Sequence, residues 1–200
     1  MSAPWNSRPG RAEPSLPPRF YRKDLETRKV GLNATRRKST GLSSKNPRLA
    51  QVTKSFQKQG VMKLLGGRIS LLSHGLVEIT ADNRPSFSQQ DGFVHAGIMA
   101  TLTDNAAGYA TLSTLPPGSR VLAVEFKLNF MRPAVGDMLR GRGRVRRLGR
   151  TLSLCEVEVE ARQNGKWITC AWGSETVYCI KEKETEGITS VERRREKLRV

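Results

Sequence analysis

The run DGFVHAGIMATLTDNAAGYATL, residues 91–112, constrains the fold more than any other feature of the chain. A helix lying on a protein surface carries a polar stripe opposite an apolar one. Here small and apolar residues surround a single carboxylate, Asp104, on nearly every side. Such a helix belongs in the middle of a fold, enclosed by other elements. An enclosed carboxylate without a partner is costly, so either a neighbour satisfies Asp104 or a site uses it.

The flanking segments supply the enclosure. A short helix is expected from Pro47 through RLAQVTKSFQKQGVMKLL, ended by Gly66 and Gly67. RISLLSHGLVEITA reads as a strand or a hairpin, and DNRPSFSQQDGF as a turn-rich loop. The long helix is expected from about Ala96 to Ser113, closed by LPPGS. In VLAVEFKLNFMRP, Leu122, Val124, Phe126, Leu128 and Phe130 alternate with Glu125, Lys127 and Asn129, the pattern of a half-buried strand. MLRGRGRVRRL and TLSLCEVEVEARQ are strands joined at Gly149 and Arg150, and Asn164-Gly165 turns a hairpin into KWITCAWGSETVYCI. One long apolar helix followed by at least four strands in antiparallel meander implies an α+β fold, a sheet wrapped around that helix.

The formal net charge of +17 invites a nucleic-acid reading, but its distribution weakens it. Residues 1–60 hold 14 Lys and Arg against three acids, which places +11 of the total there. Pro4, Pro9, Pro14, Pro17 and Pro18 break any early helix, so residues 1–46 are expected to be a disordered basic extension. Aromatics there are limited to Trp5, Phe20 and Tyr21, and nucleic acid ranks last among the partners considered. The domain proper spans 47–180, and a charged tail occupies 181–200.

Cys155, Cys170 and Cys179 show no CxxC pairing, and their odd number argues against a fully paired disulfide framework. Their strand positions suit core residues in a reducing compartment. His74 and His95 are the two histidines and give no metal-ligand spacing, so no metal or redox cofactor is expected. With no apolar run near membrane-spanning length and no apolar core of a secretory signal, a cytoplasmic location and no membrane association are expected.

The runs SQQDGFVHAGIMATLTDNAAGYA and VEFKLNFMRPA carry a resemblance. Together, across roughly residues 50–180, they resemble the hotdog-fold acyl-CoA thioesterases of the phenylacetic acid degradation (PaaI) type. The resemblance implies a hotdog domain that dimerises, or forms a dimer of dimers, and hydrolyses an acyl-CoA to free acid and CoA. By the same resemblance Asp104 matches the catalytic acid and Gly97 the oxyanion glycine. His95 matches the histidine opening the family's HGG motif, and Gln89 a polar residue six positions earlier that positions the thioester or water. Two positions depart from the pattern: Ala96 stands second in HGG, and Ala123 replaces a Ser or Thr that often assists from the strand. The second departure keeps open an alternative, a non-catalytic hotdog module that binds acyl thioesters as a sensor.

Thioester hydrolysis needs a nucleophile or a base that delivers water, and a donor for the oxyanion. Asp104 can be the first. The helix neighbours Gly97, Ala100, Thr101, Ala107 and Gly108 are small and leave room for an acyl group. The backbone N–H of Gly97, near the helix start, has no intrahelical partner and the positive end of the helix dipole behind it. Seven helical residues separate Gly97 from Asp104 by about 10 Å, so the two cannot serve one carbonyl within a chain. Two copies with antiparallel long helices would bring them together.

The stripe Arg140, Arg142, Arg144 and Arg146 could bind phosphate, but Glu156, Glu158 and Glu160 follow at the same parity. If paired residues sum to about 300, the two rows form a cross-strand charge ladder, each pair worth about 0.2–1 kcal/mol. Arg132, Arg147 and Arg150 lack such partners and are the candidates for CoA phosphates. Removal of residues 1–46 is expected to leave the melting temperature and any turnover nearly unchanged, because a disordered arm makes few native contacts. A fall of many degrees would show that the arm packs on the domain.

Overall fold

The computed structural model describes residues 46–181, so the expectations for the basic extension and the charged tail lie outside the described residues. Helix α1, Pro47–Phe56, starts at a side-chain cap: the Arg48 N–H donates to Asn46 Oδ1 at 3.0 Å, and Pro47 occupies the first turn. The single helix expected here is two. Gln59 takes extended backbone geometry before α2, Gly60–Leu65, which ends at a left-handed Gly66. The break re-aims the chain, so that Phe56 meets Tyr109 edge-on at 5.5 Å while the Gln59 amide donates to Asn105 Oδ1 at 2.9 Å.

RISLLSHGLVEITA resolves as a hairpin of β1, Arg68–Ser73, and β2, Leu76–Asp82. The long helix α3 runs Ala96–Leu112, and β3 Arg120–Phe130, β4 Met138–Arg147, β5 Leu152–Gln163 and β6 Lys166–Ile180 follow. The β5–β6 turn uses Asn164 and Gly165, both at positive φ, as its dipeptide predicts. The six strands are antiparallel neighbours in the order β1-β2-β4-β5-β6-β3. A simple four-strand meander is therefore corrected: β4, β5 and β6 form one, while β3 crosses to the far side of β6 and β2 takes the place beside β4.

The half-buried reading of β3 is also corrected. Leu122, Val124, Phe126 and Phe130 are 55%, 55%, 46% and 51% exposed. A register shift between Ala123 and Glu125 breaks the alternation, so Leu122 and Phe126 no longer share a face, and β3 is the last strand of the sheet. One edge and much of the apolar surface of this strand are left uncovered.

The charge ladder has the expected register, with Arg140 opposite Glu160, Arg142 opposite Glu158 and Arg144 opposite Glu156. It is wider than two strands. Glu78 of β2 bonds Arg142 at 2.7 Å, and the Trp167 ring covers the Arg140 guanidinium at 4.2 Å. A shift between Val145 and Arg147 gives Glu156 to Arg146 rather than to Arg144.

The concave face of the sheet encloses α3, which packs against β2, β3, β4, β5 and β6. Leu102, Ala106, Ala107 and Ala110 are fully buried in this contact. Two glycines of β4 set its closeness. A Cβ at Gly141 would lie 2.8 Å from the Leu102 carbonyl oxygen, and one at Gly143 would overlap the Ala106 carbonyl. Backbone thus lies directly on backbone. Gly143→Ala is expected to destabilise the fold by about 1–3 kcal/mol or more through overpacking. Urea unfolding reads the loss, and an unchanged midpoint would show that the helix can shift at no cost.

Candidate active site

The sequence-predicted residues fall into two groups within the chain. At the start of α3, His95 is the cap residue: its Nδ1 accepts the Gly97 N–H at 2.9 Å, so the ring carries its proton on Nε2. The candidate oxyanion donor is thus held by the imidazole, and a substrate oxygen would have to take its place. Gln89 closes the preceding turn. Its side-chain oxygen accepts from the Asp91 N–H, and its own N–H bonds the Phe93 carbonyl. His95 N donates to the Phe87 carbonyl at 2.8 Å, which ties this loop to the helix start.

Asp104 lies in the second group, two turns along the helix. It lines a cavity of about 630 Å³ between α1, α3, β3 and β6, whose walls include Gln59, Asn105, Gly108, Tyr109, Ala123 and Glu175. Gln89, His95 and Gly97 are not among its lining residues. Gly108, one turn from Asp104, leaves the wall open as the small-residue pattern anticipates. Burial pushes the Asp104 carboxyl above the ordinary carboxylate range. Its Oδ2 lies 3.5 Å from Asn105 Nδ2, which also donates to the Thr101 carbonyl at 2.9 Å. Gln59 in turn holds the Asn105 oxygen, so the wall behind Asp104 is a hydrogen-bonded row reaching the start of α2.

Glu175 is the residue that sequence reasoning misses. It sits on β6 opposite Phe126 of β3 and Cys155 of β5, and is 1% exposed. Its Oε2 has no hydrogen-bond partner among the described residues. Burial first, then the negative charges of Asp104 and Glu125, push its carboxyl up to about 9. The signal was present in GSETVYC, where Glu175 shares the parity of the apolar Val177 and Cys179. Polar Ser174 and Thr176 on either side mask it.

The candidate phosphate binders do not form one cluster. Arg147 ends β4 and Arg150 lies in the turn after it, whereas Arg132 follows β3 at the opposite end of the sheet. The three cysteines are buried and unpaired, and burial raises the Cys155 thiol to about 11, which removes it as a nucleophile at neutral pH. No described helix is long and apolar enough to cross a membrane.

Comparison with known proteins agrees with this architecture. The family model of the Thioesterase superfamily matches residues 91–168, which hold α3 and Asp104. A thioesterase family protein of Silicibacter pomeroyi superposes with a TM-score of 0.66 and 37% sequence identity, over 67% of this chain and 98% of that one. The E. coli PaaI protein of the phenylacetic acid degradation operon superposes with a TM-score of 0.60 at 23% identity, over 67% of this chain and 94% of that one, a likeness of fold. Human acyl-coenzyme A thioesterase 13 is 26% identical over 130 residues, 64% of this chain and 92% of that protein. The chain belongs to the thioesterase superfamily and has its hotdog fold.

Proposed function

We propose that the protein is an acyl-CoA thioesterase, with Asp104 as the base that delivers water to the thioester carbonyl. The observation that carries this reading is the position of Asp104: a half-buried carboxylate with a raised proton affinity on the wall of an otherwise uncharged stretch of helix, facing a cavity of about 630 Å³. Asp104 takes a proton from water as the oxygen attacks the carbonyl carbon. The tetrahedral oxyanion then collapses, the C–S bond breaks, and the proton leaves with the CoA thiolate. The products are a free acid and CoA. The likeness to human acyl-coenzyme A thioesterase 13 supports CoA as the carrier.

The site is completed by a second copy of the chain. Two observations support this reading: Gly97 does not line the cavity of Asp104, from which seven residues of helix rise separate it by about 10 Å, and β3 leaves an open edge with exposed Leu122, Val124, Phe126 and Phe130. Antiparallel pairing along this edge would bring the His95–Gly97 end of one α3 towards Asp104 of the other. The homodimer could pair again as a dimer of dimers. Arg147 and Arg150, at one end of the sheet, and Arg132, at the other, are the candidates for CoA phosphates. Ala123, which offers no hydroxyl at the cavity, favours a second reading, a module that binds acyl thioesters without hydrolysing them.

Asp104→Asn decides between the two. The amide fills the same volume but cannot accept the proton from water, so hydrolysis of a panel of acyl-CoAs, followed by free-thiol release, is expected to vanish in a folded dimer. Turnover retained by this variant would remove Asp104 from the mechanism, and no turnover by the unaltered protein on any acyl-CoA would favour the binding module.

Mixing two inactive variants tests the shared site. Asp104→Ala lacks the carboxylate. Gly97→Pro lacks the N–H, at a first-turn position where that N–H has no helical partner, although the proline ring must push the His95 imidazole aside. After joint unfolding and refolding, a mixed dimer holds one site with both groups intact and one with neither. Hydrolysis should return, up to about half of the unaltered rate per heterodimer, or about a quarter for a randomly paired equal mixture. If circular dichroism shows both variants folded, heterodimers form and no activity returns, the two-subunit site is wrong.

A further inference from the structure

Glu175 is a second carboxyl in the cavity of Asp104, and the hydrolysis described above does not use it. It is almost wholly buried, yet one oxygen has no partner, which is a costly arrangement for a structural residue. The groups facing it from each packed element are few. Asp104 and Tyr109 come from α3 and the Cys155 thiol from β5; Glu125 of β3 lies on the other face of the sheet, where it accepts from the Thr176 hydroxyl, and acts on Glu175 only as a nearby charge, while Lys54, Lys58 and Arg120 line the same cavity with exposed side chains. No described cation forms an ion pair with either Asp104 or Glu175; the ion pairs lie elsewhere on the sheet. Two carboxyls lining one cavity without a paired cation are costly to ionise together, which favours one proton held between them.

We propose that Glu175 is a positioning residue for Asp104: a neutral carboxylic acid whose O–H is directed at the Asp104 carboxylate and holds it in the orientation that receives the proton from water. This inference rests on the hydrolase reading. Three observations carry it. Glu175 and Asp104 line one cavity; the parity of β6 turns Glu175 inward with Val177 and Cys179; and the buried Oε2 has no hydrogen-bond partner among the described residues, so a proton bound there is a donor not already committed elsewhere. Ala123, on the neighbouring strand and in the same wall, offers no hydroxyl to do this work.

The proton resides on Glu175 and not on Asp104 because Glu175 is the more deeply buried, and because the Asp104 charge itself opposes ionisation of Glu175. Asp104, open to the cavity on one side, ionises first. When Glu175 finally ionises near pH 9, the donor is lost and a second negative charge stands near Asp104. Activity that depends on this donor therefore falls as the pH rises through that value.

The test uses the intact chain and two variants. Glu175→Ala is expected to lose at least about tenfold in kcat/KM at pH 7, chiefly in kcat, since it removes a hydrogen bond to a charged group. Glu175→Gln, whose amide keeps a donor but no titrating proton, should recover most of that loss and lack the fall near pH 9, after correction for spontaneous thioester hydrolysis. Full activity in Glu175→Ala, or an unchanged alkaline fall in Glu175→Gln, would overturn the proposal.

A readout independent of turnover separates this failure from failure of the hydrolase reading. In protein labelled with carbon-13 at the glutamate carboxyl, the resonance absent from Glu175→Gln identifies Glu175. Its midpoint should lie near 9 and move downward in Asp104→Asn, where the opposing charge is gone. A midpoint in the ordinary carboxylate range, or one that Asp104→Asn does not move, refutes the shared proton whatever the protein hydrolyses.

Discussion

A helix can lie directly on a sheet only where the sheet presents no side chain between them. Gly141 and Gly143 provide that gap, and the backbone of α3 at Leu102 and Ala106 fills it. The depth at which α3 sits follows from this contact. So do the small residues along its inner face, since Ala106, Ala107 and Ala110 leave no room for anything larger. The curl of the sheet around the helix brings β6 and β3 to the far side of α3, which is where the cavity and its two carboxyls are found. Close backbone packing on one side of the helix and an open wall on the other are two results of one constraint.

The two sides of the sheet handle charge in opposite ways. On the convex face Glu78, Glu158 and Glu160 are bonded to Arg140 and Arg142. On the concave face Asp104 and Glu175 have no such cation. A paired carboxylate is held in its ionised form, whereas an unpaired one that burial desolvates holds its proton more tightly. The surface ladder is neutralised by its own pairing, and the two interior acids are left without such partners.

Much of the fold was legible in the sequence. The central helix showed itself through the lack of a polar stripe around Asp104, and the Asn164-Gly165 turn through its dipeptide. The β4–β5 register followed from matching arginines to glutamates. Each of these is a local signal. The neighbour of β3 was not legible, because its pairing with β6 is set by closure of the sheet around α3 and not by any short-range pattern. Gly141 and Gly143 read as ordinary strand positions until the helix they receive is placed. Of the candidate site, the inward place of Asp104 was legible by contrast with its surroundings. Glu175 was not, since a glutamate between Ser174 and Thr176 looks solvated until the inward face of β6 is fixed. The break at Gln59 escaped for a similar reason: the Asn105 amide that its side chain meets lies 46 residues away.

The buried acid also sets a thermodynamic linkage between folding and pH. An ordinary glutamate carboxyl, at 4.5, releases its proton in the unfolded chain long before Glu175 does so at about 9 in the folded one. Across that window the native state binds a proton that the unfolded state has shed, so this residue makes the fold progressively less stable as the pH rises. Asp82 and Asp137, held below the usual carboxylate range by Arg68 and Arg162, act in the opposite sense, favouring the native state once the pH exceeds their unfolded values. Glu175, together with the other interior groups that burial raises, Asp104 and the Cys155 thiol among them, thus lowers conformational stability as the pH rises, whereas the rim aspartates lower it as the pH falls.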